Sequence, residues 1–217
     1  MVNRTEPRTG RGAGTREAIM AAAERLYAEH GLSNVSNRQI SEAAGQGNNT
    51  VVSYHFGTKA TLVRAIMTKH VMLVDAVRQL HVEAAGDSTD VRDWVRCLVR
   101  PVPEHLSSLG TPSWQARFAV QVMTDPMMRA LVTDESLTRD SLRRTLQGLG
   151  RCLRDAVPAE VRRERGEMAR HLITHTCAER ERALAEGSCE PGASWERTAD
   201  ALEDALVGLF TAPTFHR

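Results

Sequence analysis

The stretch from Val35 to Lys59 constrains this 217-residue chain more than any other part of it. Ser36 with Gln39 three residues on forms a capping box, and Val35 and Ile40 occupy the two positions of a hydrophobic staple, so a helix starts at Ser36. It runs only to Ala44, because Gly45 and Gly47 break it. Asn48 or Asn49 can cap another short helix through Thr50, Val51, Val52, Ser53, Tyr54 and His55, ended by Gly57. Thr58 then caps a long helix to about residue 84, with Leu62, Ile66, Leu73, Val77 and Leu80 as its expected buried stripe. Upstream, Thr15 caps a helix over 15–30 that carries Ile19, Ala23 and Leu26 at helical spacing, and Gly31 stops it.

The same punctuation continues downstream. A polar break from Gly86 to Asp90 precedes a helix with Val91, Trp94 and Leu98, interrupted by Pro101 and Pro103. Thr111-Pro112 and Asp125-Pro126 each set a capping residue before a proline at a first helical position, Pro158 follows Val157, and a last helix starts at Ser194. Aromatic residues make up 4% of the chain while Ala, Leu, Val and Arg abound, and no strand pattern appears. The expected class is all-α with nine or so helices. With 41% hydrophobic and 25% charged residues the chain can bury a core, and its length suits a small module joined to a larger domain.

Composition narrows the partners. Lys plus Arg total 28 against 27 Asp plus Glu, so any nucleic-acid binding must rest on a local patch. One candidate is the N-terminus, where Arg4, Arg8, Arg11 and Arg16 face Glu6 alone; the plain alternative is a solvated tail. Cys97, Cys152, Cys177 and Cys189 are widely spaced and form no CxxC pair, which points away from a zinc ribbon or disulfide framework and toward a reducing cytoplasm. No apolar core follows the N-terminal arginines and no apolar run is long enough for a membrane span, so a soluble cytoplasmic protein is expected. A helical enzyme finds no support in a P-loop, dinucleotide glycine pattern, GxSxG elbow or metal triad, and no cofactor or metal is expected.

Two short helices joined through Gly45 to Gly47 and braced by a preceding helix make a helix-turn-helix candidate. The second must present a thin polar face to a major groove, and Gln46, Asn48, Asn49, Thr50 and Ser53 supply amides and hydroxyls for base edges or phosphates. At these residues the chain resembles the DNA-binding domain of the TetR family of bacterial regulators. Ser36-Asn37-Arg38-Gln39-Ile40-Ser41-Glu42-Ala43-Ala44-Gly45, then Tyr54-His55-Phe56-Gly57-Thr58-Lys59, carry the likeness, which covers about residues 15 to 70. Ser53 stands where the family commonly has tyrosine, and the link from Gly45 to Lys59 is one residue longer than usual.

The resemblance implies a flexible basic arm over 1–14, a helix-turn-helix domain over 15–57 and a helical ligand-binding and dimerisation domain over 58–217. By residue, it implies Ser36, Asn37 and Arg38 at a phosphate or groove edge, Asn48, Asn49, Thr50 and Ser53 (with Gln46) near bases, Tyr54 and His55 toward the backbone, and Lys59 pairing a phosphate. Solvent exposure or capping is the bland alternative for each, and Phe56 and Ile40 belong to the core. It further implies a homodimer on a double-stranded operator, released by a small molecule. A regulator that activates, or that uses a protein partner without a ligand, would keep the same N-terminal unit and need no cavity.

For the larger domain the residues alone must speak. Trp114, Phe118 and Val122 share a helical face with Arg117 and Gln121 on an adjacent strip, and Trp94, Met123, Met127 and Met128 are near in the pattern. Aromatic and methionine side chains suit a ligand cavity, although such a stripe is more often plain core. His171 and His175 stand at i, i+4 and serve as polar pocket or interface groups rather than as a metal pair, since no carboxylate sits at HExxH spacing. Val161, Met168, Leu172 and His175 on one helix, and Trp195, Leu202, Leu206 and Leu209 on the last, form stripes that the resemblance makes the expected dimer face; the alternative is that the last helix merely docks on its own core.

Overall fold

The computed structural model describes residues 8–189 and 192–214, and no strand occurs among them. Eleven helices follow in order: α1 (Arg8–His30), α2 (Asn37–Ala43), α3 (Val51–Phe56), α4 (Lys59–Ala85), α5 (Val91–Val99), α6 (Pro101–Leu109), α7 (Gln115–Thr124), α8 (Pro126–Leu137), α9 (Asp140–Leu153), α10 (Ala159–Glu186) and α11 (Trp195–Thr211). None of these helices is long and apolar enough to cross a membrane.

Capping chemistry sets most of the starts. The Ser36 side chain accepts from the Gln39 N–H while Gln39 Oε1 accepts from the Ser36 N–H, closing the reciprocal box at α2. Thr58 Oγ1 accepts from Thr61 N–H at α4, and Asp125 Oδ1 accepts from the N–H groups of Met127 and Met128 at α8. Thr111-Pro112 does not open a helix; α7 begins at Gln115, with a cap supplied from another helix. Helix α1 starts at Arg8 rather than Thr15. A glycine costs only about 1 kcal/mol against alanine inside a helix, so Gly10, Gly12 and Gly14 need not stop one already nucleated by its buried Ile19–Tyr27 face. The expected arm over 1–14 is therefore helical from residue 8, and its first seven residues lie outside the described ones.

Two apolar cores result. The first joins α1, α2 and α3 to the early turns of α4 (Leu62, Val63, Ile66, Met67) and includes Phe118 and Val122 of α7. The second gathers α5, α6, α9, α10 and α11 around Trp94, Leu106, Leu206 and Phe210. A β-carbon on Gly148 would fall 2.2 Å from the Trp94 ring, so the absence of a side chain there is what lets α5 and α9 close.

The buried ridges of the two longest helices differ from the apolar stripes of the sequence. In α4 the ridge is Leu62, Ile66, His70, Val74, Arg78 and Val82 at strict i+4 spacing, while Leu73 and Leu80 are exposed. In α10 it is Arg165, Ala169, Ile173, Cys177 and Glu181, leaving Met168 and Leu172 outside. In α11, Leu202 and Leu206 are buried in the chain's own second core, so that part of the expected dimer face is not available to a partner.

Candidate nucleic-acid interface and cavity

Helix α3 is two-sided. Val52 and Phe56, four residues apart, are buried, while Asn49, Thr50, Ser53 and Tyr54 are exposed, Tyr54 at 85%. An aromatic side chain held that far out of the core lies on an otherwise polar face. Much of the surrounding polarity is occupied in holding the two short helices together. Asn37 Nδ2 donates to Ser53 Oγ at 3.2 Å across the α2–α3 pair. Asn48 Oδ1 accepts from the N–H and hydroxyl of Thr50; the N-cap of α3 is Thr50 itself, whose side chain makes no cap bond, so neither Asn48 nor Asn49 caps the helix as expected. Gln46 Nε2 donates to the Ala44 carbonyl, and Arg38 pairs with Glu42 in the open at 2.8 Å. His55 is half-buried with its ring edge-on to Tyr54.

Lys59, expected at a phosphate, is bonded within the chain. Its ammonium donates to the Leu32 carbonyl at 2.7 Å and the Val35 carbonyl at 3.3 Å, and lies over the Tyr27 ring. It therefore ties the start of α4 to the α1–α2 turn. Arg16 of α1, whose guanidinium stands 4.8 Å from the Phe56 ring centre, brings a further cation to the end of α3. Residues 8–66 carry seven Lys and Arg against four Asp and Glu, a local positive excess that the whole-chain balance hides.

Among helices 4 to 10 lies a cavity of about 560 Å³, within the range of small-molecule sites. Its walls come from α4 (Met67, His70, Val71, Val74, Arg78), Leu98 and Val102, α7 (Gln115, Ala116, Ala119, Met123), the α8–α9 region (Val132, Arg139, Leu142, Leu146) and one face of α10 (among them Arg162, Gly166, Arg170, Ile173 and Cys177). An adjoining space of about 370 Å³ shares Arg78, Leu98, Leu146 and Arg170 and extends to Leu153 and Phe210.

The eight residues that the sequence suggested for ligand contact are all absent from this lining. Trp94 is core, its indole donating to the Ser88 carbonyl. Trp114 donates to Glu29 of α1, Phe118 stacks on Tyr27 at 6.1 Å, and the Gln121 carboxamide reaches the Gly31 turn. Arg117 pairs with buried Glu181 of α10, and Met127 is 70% exposed. His171 and His175 are exposed, and His171 Nε2 accepts from Arg170. Burial and the neighbouring Arg170 charge hold the His171 pKa below its ordinary value. On α7, Ala116, Ala119 and Met123 face the cavity, whereas Trp114, Phe118 and Gln121 face α1 and the turn after it.

The cavity wall also carries polar groups that no motif announces. His70, on the α4 ridge, lines the cavity; its Nε2 stands 3.0 Å from Glu24 of α1 and its Nδ1 2.9 Å from His105 of α6. Burial, then the charge of His70, lowers His105 from the usual 6.5 to about 4. An unfolded imidazole takes up its proton near 6.5, while the folded one stays neutral down to about 4. Stability is thus complete above 6.5 and falls as the pH drops through that window, by up to about 3 kcal/mol. Urea unfolding of wild type and His105→Gln should show a gap that closes in favour of the variant between pH 6.5 and 4; parallel losses in both would refute it. Burial beside Glu181 pushes Cys177, also in the lining, up to about 12, so that thiol stays protonated. No group of three or more His, Cys, Asp or Glu side chains among the described residues is placed to hold a metal ion.

A short exposed helix braced on two others by a capped turn defines the N-terminal unit as a helix-turn-helix of the DNA-binding kind. Residues 19–66 match the family model described as bacterial regulatory proteins, tetR family. The HTH-type transcriptional repressor AcnR of Corynebacterium glutamicum is 27% identical over 126 residues, 58% of this chain and 60% of that protein. The chain thus spans less than two thirds of the length of this curated relative. Mycobacterium smegmatis AmtR superposes with a TM-score of 0.58 over 99% of this chain and 92% of its own, at 17% identity. PfmR of Thermus thermophilus does so with 0.53 over 91% and 99%, at 18% identity, and both share the fold. Residues 19–66 are thus similar to the DNA-binding unit of the tetR family of bacterial regulatory proteins, and the helical remainder shares the fold of these solved structures.

Proposed function

We propose that this chain is a transcriptional repressor that grips its operator as a homodimer and leaves it when a small molecule enters the 560 Å³ cavity. The carrying observation is the two-faced α7. One side walls the cavity and the other lies on α1 through Phe118–Tyr27 and Trp114–Glu29. The α4 ridge adds a second route, since His70 touches both the cavity and Glu24 of α1. A ligand that binds better to the form with displaced reading helices shifts the population off DNA; equal affinity for both forms shifts nothing. A regulator working through a protein partner alone needs no such cavity.

In this reading α3 enters the major groove. Asn49 reads a base edge, Tyr54 meets the backbone, and Ser36 and Asn37 present the α2 N-terminus to a phosphate. The dimer forms through the outer face of α10, where Met168, Leu172 and the two histidines lie exposed.

Selection from random-sequence DNA followed by fluorescence anisotropy tests the DNA arm. A selected site should bind at least about 1000-fold tighter than unrelated DNA. Asn49→Ala should lose about 1 to 3 kcal/mol of discrimination at one base pair, and Tyr54→Ala should weaken all sites alike. Enrichment of no sequence would overturn the reading.

A further inference from the structure

The cavity wall is unevenly charged. Arg78, Arg139, Arg162, Arg163 and Arg170 line it, against Glu167 as the acidic lining residue. Arg162 is engaged elsewhere, donating to the Val157 carbonyl at 2.6 Å. Arg78 is not satisfied in that way. It is 8% exposed, and its Nε has no acceptor among the described residues. Its ion-pair carboxylate, Asp75, stands 3.9 Å from Nη1, too far for a hydrogen bond. That carboxylate is shared, since the Arg139 Nη1 lies 3.9 Å from its other oxygen and the Ser141 hydroxyl donates to it. Arg139 Nε and Arg170 Nη1 are also buried without an acceptor among the described residues.

Such an arrangement is costly for the chain by itself. Burial lowers the pKa of Arg78 and of Arg170, yet a guanidinium stays protonated at any physiological pH, so the positive charge remains with donors unmatched. Around it the wall is apolar, with Val74, Leu98, Val102, Leu146 and Ile173. An anion entering this space supplies the missing acceptors, and a planar carboxylate fits the guanidinium fork in a bidentate way. A hydroxyl or an ammonium of the same size cannot do both.

We propose that the cavity takes an amphipathic organic acid, its carboxylate held by Arg78, Arg139 and Arg170 and its apolar body lying against Leu98, Leu146 and Ile173. This rests on the cavity being the sensor site. A volume of about 560 Å³ leaves room for roughly 18 water-sized groups, enough for a medium-length acyl chain or a ring system with its acid group.

Titration calorimetry on the full chain without DNA, using octanoate, 1-octanol and octylammonium, tests the charge preference directly. Octanoate should bind at least tenfold tighter than 1-octanol, and octylammonium weakest. Arg78→Met should remove the octanoate advantage while sparing 1-octanol, with helical content checked by circular dichroism. Arg170→Met, at a less buried position, gives the same direction should Arg78→Met fold poorly. If 1-octanol matches octanoate on the wild type, or if both arginine variants keep the octanoate advantage, the acid is not the ligand class, although a small-molecule cavity stands. If none of the three binds, the acid proposal falls together with the sensor. If octanoate binds yet leaves the operator complex intact, the sensor reading alone falls.

Discussion

Glu181→Ala should lower the unfolding free energy by about 3 to 5 kcal/mol, the usual cost of removing one partner from a buried charged network. The carboxylate is 1% exposed and sits at the start of α7, which has no cap of its own. Oε1 accepts from the Ser113 hydroxyl at 2.8 Å and the Ala116 N–H at 3.1 Å; Oε2 accepts from the Arg117 N–H at 3.0 Å and from Arg117 Nε at 3.2 Å. One side chain of α10 thus satisfies two orphan N–H groups, a hydroxyl and a guanidinium, where the helix dipole also favours negative charge. Alanine leaves all four donors without it and an arginine unpaired. Glu181→Gln keeps the shape but turns one acceptor into a donor facing N–H groups, so an intermediate loss is expected. Urea unfolding followed by circular dichroism measures both. A loss below about 1 kcal/mol for the alanine variant would mean that α7 is held by apolar packing alone.

Much of the fold was legible because its starts are written in local chemistry. Ser36–Gln39, Thr58, Asp125-Pro126 and Ser194 each place a side-chain acceptor where the first free N–H groups of a helix need one, and each is used so. What misled was the assumption that a buried face is an apolar face. His70 and Arg78 sit on the buried ridge of α4, and Arg165 and Glu181 on that of α10. Counting apolar residues therefore rotated both stripes toward Leu73 and Leu80 in one helix and Met168 and Leu172 in the other. Those buried charges act at a distance in sequence: Arg165 donates to the Phe210 and Ala212 carbonyls at the end of α11, and Glu181 caps α7. No window along the chain reveals such partners. Helix α9 was also unannounced, since its N-cap is Arg139, whose side chain makes no cap bond.

The same distinction separates the two candidate sites. The α3 surface was readable because exposure there follows from one short period, Val52 and Phe56 in, Asn49, Ser53 and Tyr54 out. The cavity was not, because it is bounded by many helices that meet only after folding. Trp114 and Phe118 promised a pocket by their size, yet large rings fill space best, and here they fill the seam between α7 and α1. Small residues, Ala116 and Ala119 on α7 and Gly166 on α10, leave the room instead. Emptiness is written by what is missing, which a search for ligand-like side chains overlooks.

Charging the outer face of α10 with Met168→Arg and Leu172→Arg together should convert dimers to monomers and weaken binding to a selected operator by about 10²- to 10⁴-fold, the range that joining two modules contributes. Both residues are large and apolar, and both are exposed in the single chain, at 51% and 41%. Because neither is buried, a charge there costs the monomer little, and the variant should keep its helical content and unfolding midpoint. Leu206 could not serve, since it is fully buried in the second core and arginine there would unfold the chain. The size of the effect follows from geometry. One six-residue helix offers few base contacts, and two-fold symmetry places a second copy about 34 Å away in the next major groove, so the second half-site is met at high effective concentration. A monomer must hold each half-site alone. Sedimentation velocity and operator anisotropy on the same preparation decide the matter: a variant that still sediments as a dimer puts the interface on another face, and a monomer that binds as tightly as wild type removes the need for symmetry altogether.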